Sequence, residues 1–275
     1  MKRTILYICG IASLLGAVSC QDFLTRDPKL SQSTEITLST YDGLNDATFG
    51  AYSALASTSW YGQQWIVDAE MRSGNGKKSD FKNSGRCIAP YIWNYIETST
   101  SPMWSVCYQV VSRANNVIDN LEGKETSTVT TQDLNNLKAE CLFIRAFSYF
   151  CNVLTYGQPY TYCVKSDKES LGVPYVEHTD PAGLPARETV ISNYEKIVRD
   201  LLEAESLIDP EYTREGVADP AAVVSVYAIQ ALLSRVYLYM GEWQKAADYA
   251  TKVIGSEKFS LWTAEQYKTS LNIFF

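Results

Sequence analysis

Apolar residues recur at steps of three and four along most of this chain, and that spacing limits the fold more than any other feature. The step is the period of an α-helix with one buried face. It occurs in six segments, at residues 41–55, 104–121, 134–154, 190–208, 219–240 and 243–254. No segment alternates apolar and polar residues convincingly over the length of a strand. The sequence therefore predicts an all-α fold.

Signals at helix ends divide these segments. Gly157 stops the third segment, and Pro159 follows just beyond. Asp219 and Pro220 stand at the start of the fifth segment. Aspartate can cap a helix there, and proline in the first turn lacks only an N–H that would be unbonded anyway. We therefore predict that this fifth helix begins at Pro220 and ends at Met240.

The last two segments show a spacing typical of a helical hairpin. Ser234, Tyr237 and Gly241 are followed in the return helix by Ala246 and Ala250. These residues match the tetratricopeptide (TPR) repeat in type and spacing. Small residues at such positions let two antiparallel helices approach closely. The sequence predicts a TPR-like hairpin, and an unrelated pair of helices is the alternative.

Two long segments separate the predicted helices. A plain TPR array would repeat about every 34 residues, but residues 58–102 and 157–186 interrupt this chain with glycine, proline, serine and aromatic residues. Loops of this length in a compact domain are usually functional or disordered. Residues 58–102 are called the excursion below. Four of the six tryptophans fall in it or just after it: Trp60, Trp65, Trp93 and Trp104.

The N-terminus has the pattern of an export signal. Lys2 and Arg3 precede an apolar run over residues 4–18, which is shorter than the about 20 residues that a membrane-spanning helix needs. Cys20 follows small residues, as in the lipobox of bacterial lipoproteins, where the thiol receives a diacylglyceryl group. We predict a lipoprotein signal peptide over residues 1–19 and lipidation of Cys20. An ordinary secretory signal, with Cys20 as an incidental thiol, is the alternative.

Composition argues against several other classes. The formal net charge of −7 makes nucleic acid an unfavourable partner. Of the seven cysteines, Cys9 lies in the predicted signal and Cys20 is assigned to lipid, and the remaining five form no C-x-x-C pair. Neither a zinc site nor a disulfide framework is expected. Cys107, Cys141 and Cys151 lie on apolar helix faces, where a free thiol packs as a small hydrophobe. We predict no metal and no cofactor.

One motif occupies the third helical segment and its end, with AECLFIRAFSYF at residues 139–150 and Tyr-Gly-Gln-Pro at residues 156–159. Together these stretches resemble the SusD/RagB family of outer-membrane nutrient-binding lipoproteins. Further stretches fit the family in order: Asp22-Phe23-Leu24, Trp104-x-x-x-Tyr108 leading to Ala114-Asn115, Gly172-Val173-Pro174, and Val236-Tyr237-Leu238-Tyr239-Met240-Gly241. The resemblance implies that residues 20–275 form one SusD-like domain of TPR-like helical hairpins with long inserted loops.

The resemblance also implies a function and a location. Members of this family bind glycans or other oligomeric nutrients at the cell surface, as the lid over a TonB-dependent β-barrel transporter. Their TPR-like helices rest on that transporter. The chain would then be anchored in the outer membrane through Cys20, and it would not be an enzyme. Relatives are considerably longer, so the resemblance implies that this chain is incomplete at its C-terminus and lacks part of the ligand site.

A glycan site needs aromatic planes for the C–H face of a sugar ring, and amide, carboxylate or guanidinium groups for its hydroxyls. The excursion contains both, and the family's ligand contacts often come from this part of the chain. The predicted ligand-binding residues are Trp93, Asn94, Tyr91, Trp65, Arg72 and Arg86. Trp93 and Asn94 form the principal pair. Burial under a loop is the alternative for every tryptophan; we favour it for Trp60, Trp65 and Trp104, and both readings stay open for Trp93.

Two other functions are compatible with parts of the sequence. A surface glycosidase would need two carboxylates at a defined separation, and Asp68 with Glu70 is the candidate pair. His178 has no nucleophile pattern nearby and is expected to be a solvated loop residue, and Arg145 is expected to form a buried structural pair. The second alternative is a TPR-type adaptor lipoprotein that binds a protein partner and no sugar.

Overall fold

A computed structural model describes residues 34–78, 87–93 and 102–271. The chain divides into two compact units, residues 1–37 and 38–275. In the first unit the structure describes one short helix, α1 (Thr34–Thr37). The predicted signal peptide and Cys20 lie outside the described residues.

The second unit is helical, which confirms the predicted all-α class. Its helices are α2 (Tyr41–Leu55), α3 (Gln64–Ser73), α4 (Ile88–Ile92), α5 (Pro102–Ile118), α6 (Thr131–Tyr156), α7 (Tyr160–Ser166), α8 (Val190–Leu207), α9 (Val226–Met240), α10 (Trp243–Gly255) and α11 (Ala264–Leu271). Among the described residues, β-type pairing is limited to a single bridge between Leu171 and Thr189.

Helix α6 is the centre of the second unit and packs against α2, α5, α8 and α9. Of its 26 residues, 17 are buried, so it is covered on more than one face. Its start is fixed by a capping box: Thr130 Oγ1 accepts from the Asp133 N–H at 3.2 Å, and Asp133 Oδ2 accepts from the Thr130 N–H at 2.8 Å. It ends at Tyr156, as the glycine and proline that follow predict.

The buried charged residues Arg145 and Glu140 of α6 are each paired with an opposite charge. Arg145 donates through Nε to Asp200 Oδ2 of α8 at 2.6 Å and through Nη1 to Asn115 Oδ1 of α5 at 3.0 Å. Glu140 accepts from Arg214 Nη1 at 2.5 Å. Buried charges are tolerated in folded proteins when they are paired in this way. The structural role predicted for Arg145 is confirmed, and this residue joins three helices.

The C-terminal pair α9 and α10 forms the predicted hairpin. The Ser234 hydroxyl donates to the Ala246 carbonyl at 2.8 Å, and the rings of Tyr237 and Tyr249 stack with centroids 5.7 Å apart. Gly241 ends α9 with φ +78°, a left-handed conformation that glycine adopts without strain.

The prediction that the fifth helix begins at Pro220 was wrong. Asp219 caps only a short 3-10 turn, and α9 begins at Val226 after an N-cap at Ser225. The later start is associated with a long-range contact. Val224 is buried, and its backbone N–H donates to the Tyr52 hydroxyl of α2 at 3.0 Å. This contact accompanies an extended backbone at Val223 and Ser225, where a continuous helix would need helical dihedrals.

The two long segments contain more helix than the sequence predicts. The excursion includes α3 and α4, and residues 157–186 include α7. α4 and α7 have five and seven residues, too few for a hydrophobic period to be recognised. α3 ends at Ser73, and Gly74 caps it with φ +85°. The excursion is therefore a partly helical segment.

Candidate functional site: the aromatic excursion

The start of the excursion is attached to α6 by aromatic residues. Trp60 is fully buried. Tyr61 meets Phe147 of α6 edge to face, with ring centroids 4.7 Å apart. The half-buried Trp65 donates through its indole N–H to the Thr155 hydroxyl of α6 at 2.9 Å. Trp65 is therefore held in place by the core, and any ligand would meet only the part of its ring that remains accessible.

α3 carries a charged cluster on the same face as Trp65. Asp68 is buried; Gln64 Nε2 donates to its Oδ1 at 2.6 Å, and Arg72 Nη2 lies 3.9 Å from its Oδ2. Burial raises the pKa of the Asp68 carboxyl, while the Gln64 hydrogen bond and the Arg72 charge oppose that rise. Arg72 lies seven residues after Trp65, two helical turns along, so the two side chains share one face of α3.

The end of the excursion presents an exposed indole. α4 packs against α3, and Trp93, directly after α4, is 67% exposed. Tyr91 within α4 is half-buried. Trp93 has φ +57°, in the left-handed region that a bulky side chain rarely adopts, and such strain is concentrated at functional sites. An exposed aromatic plane in a strained backbone is therefore the most prominent feature of this surface.

The structure brings only part of the predicted ligand set together. Trp65 and Arg72 lie on α3, and Tyr91 and Trp93 lie on or directly after α4. The two remaining predicted residues, Asn94 and Arg86, lie outside the described residues. Their assignment to the ligand site stays a prediction.

The two carboxylates considered for glycosidase chemistry do not face each other. Asp68 is buried beneath Gln64 and Arg72, whereas Glu70 is exposed and accepts a hydrogen bond from Asn75 Nδ2 at 2.9 Å. Residues two apart on a helix point in different directions. This pair therefore lacks the opposed geometry that hydrolysis of a glycosidic bond requires.

The histidine and the buried cysteines lie in surroundings typical of residues that serve the fold. The imidazole of His178 is largely solvated, and its Nδ1 lies 2.7 Å from Asp119 Oδ1. Cys107, Cys141 and Cys151 are buried free thiols, as their helical positions predict, and burial raises the pKa of Cys141 to about 12. Within the described part of the chain, no group of three or more histidine, cysteine, aspartate or glutamate side chains is placed to hold a metal ion.

The sequence of this protein matches the profile of the SusD-like family, which is described as starch-binding and associating with the outer membrane, over residues 22–238. The match covers well over half of the chain, and the chain therefore belongs to the SusD-like family. No helix among the described residues has both the length and the hydropathy needed to cross a bilayer.

Individual relatives agree with this assignment. The chain is 27% identical over 259 residues to SusD-like protein P2 of Formosa agariphila, a match that covers 91% of this chain and 46% of that protein. A SusD superfamily protein of known crystal structure, from Bacteroides thetaiotaomicron, is 34% identical with a TM-score of 0.69, over 83% of this chain and 49% of the other. A laminarin-binding SusD-like protein shares the fold with a TM-score of 0.59 at 20% identity, over 78% of this chain and 44% of that one. The chain spans about half the length of the curated relatives it matches.

Proposed function

We propose that this protein is a lipid-anchored cell-surface protein that binds glycans, or other oligomeric nutrients, and delivers them to a TonB-dependent outer-membrane transporter. Membership of a family described as starch-binding supports the ligand class. One structural observation carries the proposal: Trp93 is 67% exposed, whereas Trp60, Trp65 and Trp104 all pack against the core.

The chemistry of this surface suits a sugar. The C–H face of a pyranose ring stacks on the exposed indole of Trp93. The guanidinium of Arg72, together with Asn94 and Arg86, would donate to sugar hydroxyls. Each such hydrogen bond replaces a hydrogen bond to water, and it contributes a net of about 0.5–1.5 kcal/mol to the free energy of binding. Binding is therefore weak and reversible, which suits a protein that must release what it captures.

The anchor and the transporter belong to the same proposal. Lipidation at Cys20 would hold the protein at the outer membrane, because two or more acyl chains give stable attachment where one gives only marginal binding. The α9–α10 hairpin exposes Leu238, Tyr239 and Trp243, and this apolar surface is the proposed contact with the transporter. The same surface would serve a TPR-type adaptor that binds a protein and no sugar, which is the second candidate function.

Affinity electrophoresis tests the glycan-binding role. The purified protein is run in native gels cast with a panel of polysaccharides that includes starch and laminarin. We expect at least one polysaccharide to retard the protein, and Trp93→Ala to weaken that retardation. Trp243→Ala is the matched control, since Trp243 is 65% exposed and lies on the hairpin. Retardation that Trp93→Ala leaves unchanged would contradict the assigned site. A transporter that co-purifies with a protein no glycan retards would favour the adaptor.

A further inference from the structure

A second aromatic surface lies on α5, outside the excursion's two helices. Trp104 and Tyr108, one turn apart, line two open cavities of about 580 Å³ each. The loop over residues 174–185 forms the other wall of the first cavity. The second cavity extends along α5 itself, as far as Arg113. The two rings therefore stand where the cavities meet, and the cavities with these rings are called the α5 groove below.

The two rings of the α5 groove are held rigidly. Trp104 packs against Tyr108 with centroids 5.1 Å apart and meets Tyr156 edge to face at 5.0 Å. The Tyr108 hydroxyl donates to the Pro174 carbonyl at 2.9 Å, which ties the ring to the loop wall. Because these contacts fix the rings in the absence of a ligand, binding on them would require little ordering of side chains.

The polar side chains of the α5 groove are available to a ligand. Ser105, Gln109 and Ser112 line the second cavity beside the rings and are exposed. Within the part of the chain that the structure describes, Gln109 and Ser112 make no side-chain hydrogen bond. The stripe from Trp104 to Ser112 is about 12 Å long at the rise of an α-helix. Asp180 and Arg113 contribute one charge of each sign to the lining, which favours an uncharged ligand.

We infer that the α5 groove is a second saccharide-binding surface, which takes a stretch of a neutral glycan chain along Trp104, Tyr108, Gln109 and Ser112. A glycan as the ligand rests on the proposed function. The rings supply a stacking surface and the amide and hydroxyl side chains supply hydrogen-bonding groups, the combination that a sugar requires. Two surfaces on one chain would raise the avidity for a long glycan above that for a short one.

Hydroxyl-radical footprinting read by mass spectrometry tests this inference on the wild-type protein. The probes are maltoheptaose and laminarihexaose, each compared with buffer alone. We expect either probe to lower the oxidation of Trp104 and Tyr108 at least about twofold, and this protection to persist in Trp93→Ala. In the variant Gln109→Ala/Ser112→Ala, protection of Trp104 and Tyr108 should require about a tenfold higher probe concentration, because the α5 groove then lacks two hydrogen-bonding groups. The matched control is Gln244→Ala/Thr251→Ala, which removes similar exposed groups from α10 and should bind as the wild type does.

The possible results separate the two proposals. Protection at Trp93 without protection at Trp104 and Tyr108 would overturn the α5 groove and leave the proposed function standing. Protection at Trp104 and Tyr108 without protection at Trp93 would support the groove and overturn Trp93 as the principal contact. Protection at none of these rings with either probe would overturn both. Protection of Trp104 and Tyr108 at the wild-type probe concentration in Gln109→Ala/Ser112→Ala would also overturn the groove.

Discussion

The two ends of the excursion have similar compositions and different environments. At its start, Trp60 is fully buried and Trp65 is bonded to Thr155 of α6. At its end, Trp93 is largely exposed at a positive φ. The start attaches the excursion to the core, whereas the end holds an indole in solvent at the cost of backbone strain. Aromatic content alone therefore does not identify a candidate binding residue, and the exposure of each ring must be known as well.

Replacing the two tryptophans should produce the largest difference between these ends. Trp60→Ala removes a fully buried ring and should lower the free energy of unfolding by about 3–5 kcal/mol. Trp93→Ala should change it by no more than about 0.5 kcal/mol. Urea titrations followed by circular dichroism measure both values. Similar losses for the two variants would show that Trp93 is packed into the fold, which would remove it as a ligand contact.

The strain at Trp93 can be measured with a matched pair of variants. Trp93→Gly and Trp93→Ala both remove the ring, but only glycine adopts φ +57° without a Cβ clash. We expect the free energy of unfolding of Trp93→Gly to be about 1 kcal/mol larger than that of Trp93→Ala. Neither variant should bind glycan at the Trp93 surface. Equal stability of the two would show that the backbone at this position is relaxed.

The attachment of Trp65 to α6 should have a smaller effect. Trp65→Phe and Thr155→Val each remove one partner of the 2.9 Å hydrogen bond. A double-mutant cycle of the two should yield a coupling of about 0.5–1.5 kcal/mol in unfolding free energy. A coupling near zero would mean that this bond does not hold the excursion to the core. The same variants should leave Trp93-dependent retardation in polysaccharide gels within about threefold of wild type.

The smallest expected effect concerns pH. Burial raises the pKa of Asp68 above its unfolded value, against the Gln64 bond and the Arg72 charge. Folding therefore favours the protonated carboxyl, and this stabilisation is present below the unfolded pKa and is lost as the pH rises through the folded pKa. Asp68→Asn cannot lose a proton, so its melting temperature should rise relative to wild type between about pH 4 and pH 7. A relative fall over that range would show that the carboxylate stabilises α3 through its charged form.

Much of the fold could be predicted because its helices are long and amphipathic. α2, α5, α6, α8 and α10 follow the period of the apolar residues closely. The start of α9 could not be predicted, since it depends on a hydrogen bond between Val224 and Tyr52, residues that are far apart in the chain. The ion-pair partner of Arg145 could not be predicted either, because Asp200 lies on another helix.

The candidate site could be predicted less well than the fold. Composition located the aromatic excursion, but Trp60 and Trp93 look alike in sequence, and only their contacts separate them. Trp104 was expected to be buried; it packs against the core but also lines two cavities. That dual role depends on a loop some 70 residues later in the chain, as the bond from Tyr108 to Pro174 shows. Lipidation of Cys20 and the roles of Asn94 and Arg86 stay predictions.

The buried thiols of the core give the molecule its own reporter of unfolding. Cys107, Cys141, Cys151 and Cys163 are all buried and free, so a thiol reagent reaches them only when α5, α6 or α7 moves away from its neighbours. Alkylation followed by mass spectrometry would then show, cysteine by cysteine, which part of the helical bundle opens first, in unmodified protein and without any engineered label.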